Sequence, residues 1–317
     1  MKILITGGAG FIGSNFIRLI LERHDDYEIT NLDKLTYAGN LDNLKGISSK
    51  KNYRFVKGDI CNQKIVDSLA KNADIIVHFA AETHVDRSII EAGSFVKTDV
   101  LGTFVLLNAA KKFGIKKFIH ISTDEIYGSI DSGSFDENSP LNPSSPYSAS
   151  KAGADRFAYS YFKTFNLPVV IARSSNNFGP FQHPEKFIPL MITNAMENRN
   201  LPLYGDGINK RDWLYVLDNC EAIYFLMNHG ILGEAYNIGS GNELPNIEAA
   251  KLILKELGKP DSLMEFVKDR PGHDRRYALN FNKIKSLGWK PKYLFGKALK
   301  DTVKWYADNR WWWEKIK

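Results

Sequence analysis

Two short stretches of the 317-residue sequence hold side chains whose types and spacing could do chemistry. In STDEIYG, Thr123, Asp124 and Glu125 follow directly on the strand pattern KFIHIS. In YSASK, Tyr147 and Lys151 stand four residues apart, which on a helix puts them on one face, one turn from each other. A phenol ionises near pH 10, so using it as a base at neutral pH means lowering its pKa by about 3 units, or about 4 kcal/mol of preference for the phenolate. A neighbouring ammonium or another positive group supplies that preference. Tyr147 is therefore a candidate proton acceptor for an alcohol undergoing oxidation, with Lys151 beside it. Adjacent carboxylates disfavour joint ionisation, so Asp124 and Glu125 could divide into an acid and a base. On these residues alone, a solvated strand end followed by a turn is the better reading.

A third stretch changes that balance. TGGAGFIGS begins at Thr6, directly after the strand pattern KILI, and opens a helical pattern. Gly7, Gly10 and Gly13 have the spacing of a phosphate-cradling turn, where the backbone must bend tightly and approach a pyrophosphate. Phe11 and Ile12 begin the helix, whose N-terminus offers free N–H groups to phosphate oxygens. Asp33 ends the second strand pattern, where a carboxylate can accept both ribose hydroxyls of an adenosine and would repel a 2′-phosphate. That predicts NAD rather than NADP. Lys34, Leu35 and Thr36 continue this turn. Asp59 and Ile60 follow the third strand, with Asp59 placed to meet the adenine. Phe79, Ala80 and Ala81 follow the fourth strand, the alanines being small enough for backbone to lie against a dinucleotide. Thr83 adds a hydroxyl facing the cleft, Thr98 is a further contact, and His84 is given no catalytic role.

The elements that must position these residues alternate. Strand patterns fall at 3–6, 28–32, 53–57, 74–79, 117–122 and 167–173, most of them apolar almost throughout, as in a parallel sheet covered on both faces. Helical patterns fall at 10–24, 63–71, 95–113 and 146–165. This is an α/β chain with a doubly wound parallel (Rossmann) sheet, in which ligands bind beyond the carboxyl ends of the strands. Past residue 176 the texture loosens into loops and prolines. We expect residues 1–175 to form the dinucleotide domain and 176–317 a smaller, less regular substrate domain. A segment near 211–240 should return to the first domain, with RDWLYVLDNCEAIYFL as a helix and AYNIGSG as a strand. The terminal TVKWYADNRWWWEKIK reads as an amphipathic helix whose tryptophans pack.

Composition excludes several alternatives. At 44% hydrophobic and 25% charged the chain is an ordinary globular protein. Its net charge of +6 is spread along the sequence with no basic block, which argues for an anionic small molecule rather than nucleic acid. Cys61 and Cys220 are far apart and in no metal-ligand spacing, so neither a disulfide scaffold nor a metal site is expected. No apolar run approaches the roughly 18 residues of a membrane span. The expectation is a soluble, cytoplasmic protein.

Taken together, TGGAGFIGS, the Asp33 position, FAAETHVDRS and YSASK resemble the extended short-chain dehydrogenase/reductases that act on nucleotide sugars. The resemblance continues through SSNNFGP, PLYGDGINKRDWLYV, NIGSGNE and DRPGHDRRY, nearly the whole chain. Within that superfamily the Thr123-Asp124-Glu125 triplet resembles the subfamily of 4,6-dehydratases acting on dTDP-glucose, whereas the epimerases usually have small hydroxyl residues there. The resemblance implies NAD as cofactor and a role for each residue. Tyr147 takes the C4 hydroxyl proton as hydride leaves C4, Lys151 holds the nicotinamide ribose, Glu125 is the base at C5 and Asp124 the acid at the C6 hydroxyl. Thr123 bonds the sugar near O4 or assists Tyr147. It also implies a substrate clamp: Asn176 and Asn177 at the cleft, the latter also near the cofactor, Lys186 and Phe187 near the phosphates, and Pro202, Leu203 and Tyr204 at the base. Arg211 and Arg270 are the diphosphate candidates, and Asn246 and His273 come from the family pattern alone. Phe178 stands where the family usually has tyrosine. Relatives of this kind are homodimers pairing the 95–113 and 146–165 helices. A dehydratase for a UDP- or CDP-linked sugar, a 4-epimerase, and a non-catalytic NAD-binding scaffold are the alternatives.

Overall fold

The computed structural model describes residues 1–317. Seven strands form one parallel sheet: β1 (Lys2–Thr6), β2 (Glu28–Asp33), β3 (Tyr53–Lys57), β4 (Ile75–His78), β5 (Lys117–Thr123), β6 (Val169–Ser174) and β10 (Ala235–Ile238). Their order is β10-β6-β5-β4-β1-β2-β3, so the chain reverses direction across the sheet between β1 and β4. A crevice opens at such a switch point, beyond the carboxyl ends of the strands.

Period-2 alternation within each strand divides the core. Ile3, Ile5, Val77, Ile119 and Ile121 face the layer of Phe11–Arg23 and Val216–His229, against Phe16, Ile20, Ile223 and Leu226. Leu4, Leu32, Ile76, Phe118 and Ile171 face the opposite layer, against Val66, Leu106 and Ala158. Both faces are covered, which is why these strands read as continuous apolar runs.

Three expectations are corrected. The 95–113 segment is not one α-helix, because Gly93–Phe95 leads into a π-helical stretch, Val96–Gly102, before Thr103–Phe113. π-Turns of this kind concentrate at functional sites, and this one carries Thr98 and Asp99. Arg211–Tyr215, expected within a helix, belongs to strand β9 (Lys210–Tyr215), whose side chains alternate and are buried. β9 pairs with β7 (Asn176–Phe178) and β11 (Glu243–Pro245) in a separate three-stranded sheet. The return to the main sheet therefore starts at Val216, with the helix Val216–His229 and then β10, rather than near residue 211. Outside the main sheet, β8 (Leu201–Tyr204) also pairs with β12 (Met264–Val267).

A second core lies beyond the crevice, where Phe178, Ile192, Leu203, Trp213, Leu254, Tyr306 and Trp313 pack together. Trp312 and Trp313 are buried, their indole N–H groups donating to Asn43 Oδ1 at 2.7 Å and the Tyr306 carbonyl at 2.8 Å. Trp305 packs against Phe181 and Trp312 while Trp311 is exposed, so three of the four tryptophans in the terminal stretch pack. No helix is long and apolar enough to cross a membrane.

Candidate active site

The crevice is a cleft of about 300 Å³ running from the β2 and β3 ends, past the glycine turn, to the end of β5. Gly7 has φ +73° and lies so close to β4 that a Cβ there would sit 2.6 Å from the Ala80 nitrogen. A Cβ on Gly13 would sit 2.4 Å from the Gly7 carbonyl oxygen. Both glycines are thus required by the turn itself. Gly10 caps the Phe11–Arg23 helix without any side chain, leaving its first N–H groups open to the cleft. Phe11, Ile12, Lys34, Thr36, Asp59, Ile60, Phe79, Ala80, Ala81 and Thr98 all line the same cleft, as do Asn176 and Asn177.

Asp33 is tied into the protein more firmly than the sequence suggests. Its carboxylate accepts from the backbone N–H of Ala9 at 2.9 Å and of Leu35 at 2.8 Å. Leu35 has φ +57° and does not line the cleft; its contribution is this backbone bond. Asp59 forms an ion pair with Lys34 at 2.8 Å and accepts from Cys61 N.

β5 ends at Thr123 and a single 3-10 turn, Asp124–Tyr127, follows. The Thr123 hydroxyl caps that turn, accepting from Glu125 N at 3.3 Å and donating to Asp124 Oδ1 at 3.1 Å. Asp124 is buried, and its other oxygen has no partner in the protein. Burial, then the Glu125 charge, pushes Asp124 well above the usual carboxylate range. Glu125 is also raised by burial, but Arg270, Arg211 and Lys186 pull it back. Both carboxyls are thus raised, Asp124 the further of the two, with more cations acting on Glu125, a distinction adjacency alone leaves open.

The Pro146–Phe165 helix starts with a Ser145/Ser148 capping box and Pro146 at its first position, which fixes where Tyr147 emerges. Tyr147, Lys151, Thr123, Asp124 and Glu125 all line the cleft. Burial raises the Tyr147 phenol, and the charges of Glu125, Asp99 and Asp124 raise it further, while the Thr123 hydrogen bond favours ionisation. Lys151 donates to the Ile121 carbonyl at 2.6 Å, and the charges that act on it are Asp99 and Asp155. The protein alone therefore holds Tyr147 as a phenol, and a positive charge brought into this pocket would be needed to lower it. Together with the open helix N-terminus, the glycine turn and unpartnered buried atoms at Ser122, Ser175, Asn176 and Asn177, this donor set fits a dinucleotide with a cationic ring.

The remaining clamp residues divide. Lys186 lines the cleft and donates to the Thr83 carbonyl, with Thr83 also lining it. Arg211 donates to the Asp274 carbonyl at 3.0 Å and meets His273 at 3.1 Å, while His273 pairs with Asp269 at 2.5 Å. Arg270 reaches Asp86 at 3.3 Å, and the Tyr204 hydroxyl donates to the same carboxylate. These residues form a polar cluster beside the cleft rather than in its wall. Asn246 opens the Asn246–Leu257 helix with a buried, unpartnered Oδ1. Pro202, within β8, is half-buried. The Leu203 side chain is buried in the second core, so it can offer a ligand only backbone, and Phe187 stacks on Trp213 at 5.6 Å. Phe178 is fully buried between Tyr215 and Phe295, away from the cleft, so the absent hydroxyl costs the site nothing.

Sequence reasoning missed Ser122 and Ser175, whose hydroxyls are buried in the cleft wall, and Gln182, His183 and Glu185. The two serines flank motifs already singled out, STDE and SSNN, and carried a readable signal. It also missed Tyr277, the last residue of the motif DRPGHDRRY, whose hydroxyl reaches Glu125.

A parallel sheet of this order, with a glycine turn at its switch point and tyrosine and lysine one turn apart on the helix after β5, defines a dinucleotide-dependent enzyme of the short-chain dehydrogenase/reductase class. The chain belongs to the family described as GDP-mannose 4,6 dehydratase, whose model matches residues 4–302. It is 52% identical over 322 residues to a dTDP-glucose 4,6-dehydratase from Streptomyces niveus, spanning 100% of this chain and 96% of that protein. It is 53% identical over 309 residues to the low-salt glycan biosynthesis protein Agl12 of Haloferax volcanii, at 98% and 99% coverage. The crystal structure of DesIV, a dTDP-glucose 4,6-dehydratase from Streptomyces venezuelae with NAD and TYD bound, superimposes with a TM-score of 0.98 at 49% identity, covering both chains fully.

Proposed function

We propose that the protein is an NAD-dependent hydro-lyase that converts dTDP-glucose to dTDP-4-keto-6-deoxyglucose and water. The observation that carries this reading is that Tyr147, Lys151, Asp124 and Glu125 line one cleft. Oxidation needs only the tyrosine and lysine, so the two acids call for a further reaction. Bound NAD would supply a hydride acceptor for C4 and a donor for C6. In the same reading Tyr147 accepts the C4 hydroxyl proton, and the resulting ketone acidifies C5–H. Glu125 takes the C5 proton, the C6–O bond breaks, and Asp124 protonates the departing hydroxyl to give water. A proton then returns to C5, and the sequence ends with no net redox change. Each transfer needs a group within hydrogen-bond reach in the right ionisation state, and the stronger upward shift of Asp124, with cations acting mainly on Glu125, suits an acid beside a base.

The full-length likeness to dTDP-glucose 4,6-dehydratases supports the substrate, and the cationic cluster of Lys186, Arg211 and Arg270 suits its diphosphate. Exposed Val96, Leu101, Phe104, Phe157 and Phe165 on the two helices flanking the site support a homodimer built on those helices. Supply of a deoxysugar such as rhamnose, in the cytoplasm, completes the proposal; the two free cysteines suit a reducing compartment. Incubation with dTDP-glucose and, separately, UDP-glucose tests it by the alkaline absorbance of 4-keto products. Product from dTDP-glucose is expected, and its absence would overturn the assignment.

A further inference from the structure

The oxidation pair and the acid–base pair sit on different elements, and one buried arginine is bonded to both. Arg173, on β6, is 2% exposed. Its Nε and Nη2 donate to the two Asp155 oxygens, each at 2.9 Å. Asp155 is fully buried on the Pro146–Phe165 helix, four residues beyond Lys151 and eight beyond Tyr147, on the same face. The remaining guanidinium nitrogen, Nη1, donates to the Tyr127 hydroxyl at 2.6 Å and to the Glu137 carbonyl at 3.1 Å. Tyr127 closes the turn that carries Asp124 and Glu125, and its hydroxyl donates to Asn237 Oδ1 at 2.9 Å.

The turn is pinned at both ends. Thr123 caps its start, and Gly128 at its end has φ +81°, where a Cβ would sit 2.4 Å from the Asn142 carbonyl oxygen. The Tyr127 ring stacks on Phe135 at 5.1 Å, and Asn237 Nδ2 donates to the Phe135 and Asn280 carbonyls at 3.1 Å each. Every polar group on this path has a partner, and none of Arg173, Asp155 and Tyr127 lines the cleft.

We propose that Arg173, acting through Asp155 on one side and Tyr127 on the other, is a positioning residue that sets the spacing between Tyr147/Lys151 and Asp124/Glu125. A guanidinium suits this because its planar fork fixes two directions at once. The consequence is selective. Loss of the Tyr127 hydroxyl frees the turn but leaves the Arg173–Asp155 pair and the helix in place, so elimination suffers more than oxidation. This inference rests on the dehydratase reading above.

The test uses the full-length Tyr127→Phe and Arg173→Lys proteins beside the unaltered chain. With dTDP-glucose, rapid-quench analysis follows two quantities in each protein: reduction of bound NAD and loss of water. In Tyr127→Phe, reduction within about 3-fold of normal and water loss slowed by about 10²-fold are expected, with KM unchanged, since a misplacement near 1 Å carries that cost. Bound NADH should accumulate, and solvent deuterium should enter C5 more slowly. Arg173→Lys keeps a charge opposite Asp155 but loses the fork on both sides, so it should slow reduction as well as water loss, in contrast to Tyr127→Phe. A role confined to stability would lower the melting temperature and scale both steps equally in Tyr127→Phe; equal scaling in that variant, or normal rates of both steps in Arg173→Lys, overturns the proposal. Failure of the unaltered chain to turn over dTDP-glucose would overturn the dehydratase reading, and this inference with it.

Discussion

The Tyr277 hydroxyl stands 3.5 Å from Glu125 Oε2 and donates to Asp274 Oδ2 at 2.7 Å. Burial and the Glu125 charge push the Tyr277 phenol well up, so it stays a hydrogen-bond donor beside the proposed base. Glu125 is thus held among a neutral phenol, three cations and the Asp274 carboxylate, an environment for a carboxylate that must take a proton and release it. Glu125→Gln should still reduce bound NAD with dTDP-glucose and stall before water is lost. Rapid quench finding dehydration at the normal rate would remove Glu125 from the base role.

The signs of the two carboxyl shifts define a pH profile. Glu125 works as a base above its raised pKa, so elimination falls as pH drops through that value. Asp124 works as an acid below its raised pKa, so elimination falls as pH climbs through that value. Asp124→Asn should slow single-turnover dehydration by about 10²-fold, in line with loss of a general acid, and flatten the alkaline limb alone. An alkaline limb that survives in Asp124→Asn belongs to another group.

Tyr147→Phe should fold, retain NAD and lose about 10²- to 10⁴-fold in turnover, the range for a proton-transfer group. Equilibrium dialysis reads the retained cofactor and product formation reads the loss. Near-normal turnover would move the alcohol's base elsewhere.

Asp33 should decide between NAD and NADP. Its carboxylate also anchors the Ala9 and Leu35 N–H groups, so Asp33→Asn removes charge while leaving one acceptor oxygen. We expect NAD affinity to fall by about 10-fold, about 1.4 kcal/mol, and the NADP-to-NAD ratio to rise. Titration of both cofactors by fluorescence checks it, and an unchanged ratio would assign Asp33 to the turn alone.

Asp155 should contribute to acid stability. Beside Arg173 its carboxyl is held down at about 2, below the ordinary value of 3.8. A depressed folded value stabilises above the unfolded pKa, and that stabilisation drains away as pH falls from about 4 towards 2. The size is on the order of 2 kcal/mol. Asp155→Asn should unfold at lower urea at pH 7, because it leaves a buried guanidinium short of its charge partner, and should lose less stability than the unaltered chain between pH 4 and pH 2. Parallel acid slopes for the two proteins would contradict this.

Local signals located most of the cleft. The glycine turn, Asp33, Ala80 and Tyr147 are read from short-range requirements: a turn needing glycine, a strand end, a helix repeat. The Pro146–Phe165 helix is legible to the residue because Ser145, Pro146 and Ser148 mark its start. RDWLY misleads for an equally local reason: its apolar residues run straight into a true helix, and the strand exists only because β7 and β11 flank it. The π-helical stretch at Val96–Gly102 is invisible for a similar reason, since one extra residue per turn leaves no mark on an apolar pattern.

What the sequence determined by itself is the fold class, the cofactor cleft and the candidate reacting groups, because each is marked by neighbours a few residues away. Tertiary structure alone decided how those groups are biased and held. Burial raises both Asp124 and Glu125, Arg211 lowers both, and Arg270 and Lys186 act on Glu125 besides, while the link between the two halves of the site runs through Arg173. Charge and burial act through space, across distances in sequence that no local pattern records.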